Sequence, residues 1–187
     1  MPKSPPSAAF SREKRPKMIG IVGFQDAGKT VAAENLIREA KRRGLEVAYI
    51  KHDGHADQLD WPDWEKTDAD TVRAAHAGAR WTLVASARGW LLHDWQAQCS
   101  SLELWFARLH AVAGEQAPDI AIVEGVKGSW LPKVAVVASE AEWDKLMAAG
   151  AANLVAAIAP KGCRLPVPVF AAEDAARLLA FLLADGL

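Results

Sequence analysis

Eight consecutive residues, Gly23–Thr30, carry the strongest chemical signal in this chain. The segment Gly23-Phe-Gln-Asp-Ala-Gly-Lys-Thr30 fits the pattern G-x-x-x-x-G-K-[ST] at every fixed position. In a loop of this kind the backbone N–H groups surround a phosphate chain, the lysine reaches the β- and γ-phosphates, and the hydroxyl holds Mg²⁺. The segment therefore predicts that the protein binds a nucleoside triphosphate, without saying which one.

The residues on either side of this loop supply the structural context that such a motif requires. Met18–Val22 is a short apolar run that predicts a buried strand, and Lys29–Arg43 has the apolar spacing of a helix. A strand, a glycine loop and a helix in this order point the loop's N–H groups at an anion. The helix N-terminus adds partial positive charge at the same place.

Polar side chains follow two further predicted strands. Lys51, His52 and Asp53 come at or after the end of the strand 46–51, and Glu124 and Lys127 follow the apolar strand 119–123. Open α/β sheets bind ligands at the carboxyl ends of their strands. These side chains are thus expected to face the phosphate-binding loop.

The two carboxylates of this group are candidates for the metal site. Thr30 with Asp53 or Glu124 offers the oxygen ligands that Mg²⁺ prefers. Either carboxylate also suits the orientation of a hydrolytic water, and the sequence does not divide these roles between them. The lysines at strand ends suit the binding of anionic groups.

Other residues of the presumed crevice give weaker indications. His52-x-x-His55 has no neighbouring cysteine, so it favours polar contacts to a substrate over a transition-metal site. Lys161, after the strand 154–159, can cover the plane of a base. The Asn/Thr-Lys-x-Asp motif of many guanine-binding proteins is absent there, so GTP does not follow from the residues alone.

Strands alternate with helices along most of the chain, which predicts an α/β fold like that of P-loop NTPases. We expect a mostly parallel sheet covered by helices on both faces, with an antiparallel hairpin over Trp81–Ala87 and Gly89–His93. Two Ser-x-x-Glu capping boxes, at Ser100 and Ser139, mark helix starts. The remaining predicted elements are a helix from about Thr67 to Gly78, strands at 132–138 and 167–170, and a helix at 173–184.

Composition sets the broad class of the protein. The chain has 187 residues, a net charge of −1 and two isolated cysteines, Cys99 and Cys163. We expect a disordered basic tail at residues 1–17 and one nucleotide-binding domain over 18–187. There is no strongly basic field for nucleic acid, no apolar run for a membrane span, and no signal-peptide pattern. These features together predict a cytoplasmic protein.

The motifs, taken in their order and spacing, resemble those of the MobB family, the accessory proteins of molybdopterin-guanine dinucleotide biosynthesis. The resemblance covers about residues 18–170. The phosphate loop is common to many families, whereas the Lys-His-x-x-His and Glu-Gly-x-Lys elements are more specific. The matching segments are Gly23–Thr30, Lys51–His55, Asp70-Thr71, Ala77–Ala79, Val123–Lys127 and Pro132–Val134.

The resemblance implies a GTP-binding protein with weak GTPase activity and Mg²⁺ at its loop. It also implies a homodimer that assists the MobA guanylyltransferase, with molybdopterin as a possible further ligand. Lys29, Asp53 and Glu124 are the expected catalytic residues, and Thr30, Asp53 and Glu124 the expected metal ligands. The nucleotide-binding set is Gly23, Gln25, Asp26, Ala27, Gly28, Lys29, Thr30, Val31, Lys51, His52, Asp70, Lys127 and Lys161.

Two segments depart from the family pattern, residues 68–71 and Trp61–Trp64. The family often has Gly-Lys-Asp-Ser before the second helix, whereas this chain has Asp68-Ala-Asp-Thr71. This chain therefore lacks the lysine expected to bind a second anion beside the triphosphate.

Two other activities use the same loop. A small-molecule kinase with Asp53 as base is expected to carry an arginine-bearing lid, and residues 52–66 contain no arginine. A nickel-delivery metallochaperone GTPase requires metal ligands near the nucleotide, and only His52 and His55 offer them.

Overall fold

The structure is a computed structural model that describes residues 16–52, 66, 68–95 and 101–184. The chain forms two compact units, one made of the residues up to His52 and from Phe106 onward, and the other of Asp53–Trp105. The single nucleotide-binding domain stays a prediction. Most of the predicted tail lies outside the described residues, although Lys17 begins the first strand.

The strands and helices of the first unit occur in the order that the sequence predicted. The helix Leu102–Ala113 spans the boundary between the two units in the sequence. In chain order the elements of the described residues are β1 (Lys17–Val22), α1 (Lys29–Arg42), β2 (Val47–Lys51), α2 (Asp70–His76), β3 (Trp81–Ser86), β4 (Gly89–Asp94), α3 (Leu102–Ala113), a 3-10 turn (Gly114–Gln116), β5 (Ile120–Glu124), β6 (Lys133–Val136), α4 (Glu140–Ala148), β7 (Leu154–Ile158), β8 (Val169–Phe170) and α5 (Ala175–Leu183).

Six strands of the first unit form one sheet in the order β2-β5-β1-β6-β7-β8, and every pairing in it is parallel. In the second unit, β3 and β4 form the antiparallel hairpin, with Ser86 paired to Gly89 across the turn. The predicted α/β class is confirmed, including the mostly parallel sheet and the antiparallel excursion.

The strands read as continuous apolar runs because helices cover both faces of the large sheet. Successive side chains of a strand point to opposite faces. On β6, Val134 and Val136 join the core formed with α1 and α5, while Ala135 joins the core formed with Trp143 and Leu146 of α4. Both helical layers are therefore packed against buried, uncharged strand residues.

The helix starts agree partly with the predicted capping boxes. Ser139 caps α4, its hydroxyl accepting the Glu142 N–H at 3.2 Å. Ser100 lies outside the described residues, and the hydroxyl that accepts an N–H at the start of α3 is that of Ser101, from Leu104 at 3.3 Å. The α2 helix is shorter than predicted because it begins at Asp70.

A lysine is fully buried at the start of β6. The Lys133 ammonium donates to the carbonyl oxygens of Leu131 at 2.9 Å, Ala152 at 2.7 Å and Ser129. Burial lowers the pKa of Lys133 to about 8. A Cβ on Gly20 would lie 2.6 Å from Cγ of this lysine, so only glycine lets its stem pass over β1. Lys133 thus joins the segment after β5 to the segment before β7.

Within the part of the chain that the structure describes, no helix is long and apolar enough to span a membrane.

Substituting Lys133 tests this internal tie. We expect Lys133→Met to lower the free energy of unfolding by about 3 kcal/mol, because buried carbonyl oxygens lose a charged donor. Urea unfolding followed by circular dichroism measures the change. Lys145→Met, at an exposed lysine of α4, is the matched control and is expected to change stability by under about 0.5 kcal/mol. Equal effects of the two substitutions would contradict the role given to Lys133.

Candidate functional site

The loop between β1 and α1 has the backbone geometry of an anion cradle. Asp26 and Gly28 both adopt left-handed conformations, with φ of 58° and 87°. Gly23 is confined, since a Cβ there would lie 2.6 Å from the carbonyl oxygen of Val136. The chain turns sharply at these residues and enters α1, whose first-turn N–H groups face the loop.

Lys29 closes this loop on itself. Its ammonium donates to the Phe24 carbonyl oxygen at 2.7 Å. Lys29 follows Gly28 directly at the start of α1. A phosphate bound in the loop would replace the Phe24 carbonyl oxygen as the acceptor of this ammonium. The contact holds the cation over the loop, where a phosphate chain requires it.

Glu124 is the buried acid of the site. It ends β5 with only 6% of its surface exposed. One carboxylate oxygen, Oε2, accepts the Thr30 hydroxyl at 3.2 Å and the Tyr49 hydroxyl at 2.7 Å. A buried carboxylate is stable only with donors of this kind. Three elements, α1, β2 and β5, therefore meet at one oxygen atom.

Tyr49 is fixed in its protonated form by this arrangement. Burial raises the pKa of Tyr49 to about 12, and the hydrogen bond and negative charge of Glu124 add to the rise. The phenol is therefore a donor to Glu124 throughout the neutral range. Sequence reasoning missed Tyr49, because its relation to Glu124 depends on the pairing of β2 with β5, which places Tyr49 opposite Ile122.

The turn after Glu124 lies against the end of β2. The His52 N–H donates to the Glu124 carbonyl oxygen at 3.0 Å, and a Cβ on Gly125 would lie 2.9 Å from the His52 carbonyl oxygen. Gly125 also has φ of 98°. Lys51 is paired with Glu124 in register, with its side chain exposed. The predicted residues of these two strand ends are thus adjacent.

Lys127 is the second cation near the loop. Its ammonium lies 5.0 Å from the ring centroid of Phe24, a cation–π contact. The carbonyl of the same Phe24 accepts Lys29, so both lysines contact one loop residue. Phe24 was not among the predicted site residues, because an aromatic at a variable position of the motif carries no signal of its own.

A cavity of about 740 Å³ opens beside the loop. It lies at the carboxyl ends of β6, β7 and β8, and the loop forms one of its walls. Of the predicted residues, Gln25, Asp26, Ala27, Gly28, Val31 and Lys161 line it. A cavity of this size accommodates a small organic ligand such as a nucleoside.

Two predicted residues are not placed at this site. Asp53, with His55 and the Trp61–Trp64 segment, lies outside the described residues. Asp70 begins α2 in the second unit, and its side chain is almost fully exposed. The roles given to both residues stay predictions.

The residues present fit a magnesium ion. Mg²⁺ prefers hard oxygen ligands and keeps several waters. Thr30 and Glu124 supply a hydroxyl and a carboxylate 3.2 Å apart, beside the loop that would hold phosphate. No group of three or more His, Cys, Asp or Glu side chains suited to a metal occurs among residues 16–52, 66, 68–95 and 101–184. The donor set therefore fits a metal that a nucleotide brings with it.

Comparison with known proteins gives a consistent family. Residues 18–160 match the family model "MobB: Molybdopterin guanine dinucleotide synthesis protein B". The chain is 32% identical over 162 residues to a Bacillus subtilis protein named "Probable molybdopterin-guanine dinucleotide biosynthesis adapter protein". That match covers 84% of this chain and 86% of the relative.

Solved structures of similar fold carry the same family name. Bacillus subtilis MobB is 26% identical with a TM-score of 0.65, over 90% of this chain and 99% of that one. A MobB homologue from Bacillus stearothermophilus is 27% identical with a TM-score of 0.61, over 89% of this chain and 95% of that one. The resemblance inferred from the motifs is confirmed.

Tyr49 is the only tyrosine of the chain, so its ionisation can be followed directly. We expect ultraviolet difference absorbance to show a midpoint near pH 12 in the folded protein, because burial and Glu124 oppose the phenolate. The same titration in urea is expected near pH 10. Glu124→Gln should lower the folded-state midpoint below that of the unmodified protein, since it removes the negative charge that adds to the rise in the pKa of Tyr49.

The stability consequence has a definite sign. A raised pKa in the folded state stabilises fully below about pH 10 and loses that contribution as the pH rises toward 12. Tyr49→Phe should therefore show less loss of stability across this interval than the unmodified protein. A folded-state midpoint near pH 10 would contradict the hydrogen bond between Tyr49 and the buried Glu124.

Proposed function

The chain belongs to the MobB family, and we propose that it is a GTP·Mg²⁺-binding adapter protein of molybdopterin guanine dinucleotide biosynthesis. In this role it assists a MobA-like guanylyltransferase and hydrolyses GTP slowly. The names of its relatives support the pathway. Guanine is the base that the product of this pathway contains, which favours GTP over ATP.

The observation that carries the proposal is the meeting of Thr30 with the buried Glu124 beside the loop. A buried carboxylate that is hydrogen-bonded to the hydroxyl of the motif supplies, together with it, two oxygen ligands for a divalent cation. The adjacent N–H groups, Lys29 and Lys127 would bind the phosphates, and Mg²⁺ would neutralise their charge when bound.

We expect slow hydrolysis because no motif of the sequence positions an arginine finger at the phosphate loop. P-loop hydrolysis without an arginine finger is slower by about 10³–10⁵. The nucleotide state, rather than rapid turnover, would then regulate contact with the transferase.

The hairpin of the second unit favours a homodimer. Its register places Trp81, Leu83, Trp90 and Leu92 on one face of the β3–β4 ribbon. All four side chains are exposed, Leu83 by 60%. A two-stranded ribbon with an uncovered apolar face is unstable in water. A second copy of the chain offers the same face and would cover it symmetrically.

Nucleotide binding is tested by removing the loop lysine. We expect Lys29→Ala to weaken GTP·Mg²⁺ binding at least about a hundredfold, because a charge-assisted contact to phosphate is lost. Isothermal titration calorimetry measures the dissociation constant. Thr30→Ala should retain GTP but lose the tightening that Mg²⁺ gives the unmodified protein.

Lys41→Ala is the control, since this exposed lysine lies at the far end of α1 and pairs with Glu46. It is expected to bind GTP normally. Unmodified protein that binds GTP no more tightly than Lys29→Ala would refute the proposal.

The dimer is tested by a charge on the hairpin. We expect Leu83→Glu to convert the dimer to a monomer in sedimentation-velocity experiments, because a buried unpaired carboxylate opposes association. Val112→Glu makes the same change at another exposed apolar residue, on α3, and should leave the dimer intact. A monomeric unmodified protein, or loss of the dimer in both variants, would contradict this interface.

A further inference from the structure

We infer that the cavity beside the loop binds the nucleobase and that the Glu173 carboxylate distinguishes guanine from adenine. The inference rests on the proposed function and goes beyond it, because it assigns the base site and names a specificity residue. The chain lacks the aspartate of the usual guanine motif after β7. The structure places a different carboxylate, which follows β8, at the same cavity.

The position of the cavity suits a base attached to a phosphate held in the loop. Residues 25–28 of the loop form one wall, and the segments that follow β7 and β8 form another. A ligand in the cavity therefore lies next to the phosphates. The volume, about 740 Å³, exceeds that of a base and leaves room for the ribose.

The walls of the cavity are largely apolar, as a flat aromatic ring requires. Ile158, Ala159 and Pro160 line one side, and Val31 of α1 lines another. Val31 is 58% exposed, although the neighbouring Ala32 and Ala33 are buried in the core. A bound base or ribose would remove this valine from water, which accounts for an apolar residue at that point of the helix.

Two glutamates, Glu142 and Glu173, line the cavity, and they differ in their roles in the fold. The Glu142 carboxylate accepts the backbone N–H of Ala138, and Glu142 also belongs to the cap of α4. Its role in the fold is therefore already set. Glu173 is exposed between β8 and the start of α5 at Ala175. Of the two, Glu173 is the carboxylate that a ligand can engage without disrupting the fold.

The chemistry of the two purines explains why a carboxylate selects between them. Guanine presents two donors side by side, N1–H and the 2-amino group, to which a carboxylate can accept bidentately. Adenine presents an acceptor at N1, which a carboxylate repels. Lys161 supplies the opposite chemistry, a donor for O6 of guanine or a cation over the ring. The pair of Glu173 and Lys161 thus complements guanine.

Glu173→Gln provides a test that gains a function. Xanthine has a carbonyl where guanine has its 2-amino group, so a glutamine N–H can donate to xanthine. We expect the substitution to weaken GTP about ten- to a hundredfold, to strengthen XTP about tenfold, and to leave ATP within about twofold. Competition against a fluorescent nucleotide, with Mg²⁺ present, measures all three affinities. Retained ATP binding also shows that the variant is folded.

Glu46→Gln is the matched control, since this exposed glutamate lies just before β2, at the opposite edge of the sheet. It should keep the nucleotide preference of the unmodified protein. Glu173→Ala should lose discrimination between GTP and ATP without gaining XTP.

The outcomes separate the two levels of the proposal. If unmodified protein binds none of the three nucleotides, the proposed function fails and this inference with it. If it binds GTP and Glu173→Gln keeps the same ratio of GTP to XTP affinity, the proposed function stands and the assignment of Glu173 is overturned.

Discussion

The parallel pairing of β1 with β5 is the constraint on which the site depends. It places Ile21 opposite Glu124, so that the phosphate loop and the acid leave the sheet at the same edge. Glu124 then reaches Thr30 within 3.2 Å, although the two are far apart in the chain. A buried carboxylate has a large desolvation cost without donors, and Thr30 and Tyr49 offset it. A slip of one residue would turn Glu124 to the other face of the sheet.

Close backbone contacts hold this edge of the sheet in place. Gly23 lies against the Val136 carbonyl, and Gly125 against that of His52, so side chains at either position would push the strand ends apart. Lys133 supports the same region from within, since its three carbonyl acceptors tie the turn after β5 to the start of β7. Rigid surroundings of this kind preorganise polar groups for a ligand.

The two units differ in how far their apolar strand residues are exposed to solvent. In the first unit, helices cover the sheet on both faces, and every residue of the strands β5 and β6 is buried. The hairpin of the second unit keeps Trp81, Leu83 and Trp90 exposed on one face. Such a ribbon needs another surface to cover it. The proposed nucleotide site and the proposed dimer surface therefore belong to different units.

The sequence by itself determined the α/β class, the order of strands and helices, and the phosphate loop with Lys29 and Thr30. These features are local, since a glycine motif and the periods of strand and helix can be read from neighbouring residues. Spacing also marked Glu124 as a candidate, without separating its role from that of Asp53.

Only the tertiary structure decided which distant residues share the site. Strand order and register brought Tyr49 to Glu124 and Glu173 to the cavity lined by Lys161, and they buried Lys133 beneath Gly20. The two members of each pair are more than ten residues apart in the sequence, so no local pattern predicts that they meet. Parallel pairing joins segments that long connections separate, and its register is set by packing of the whole sheet.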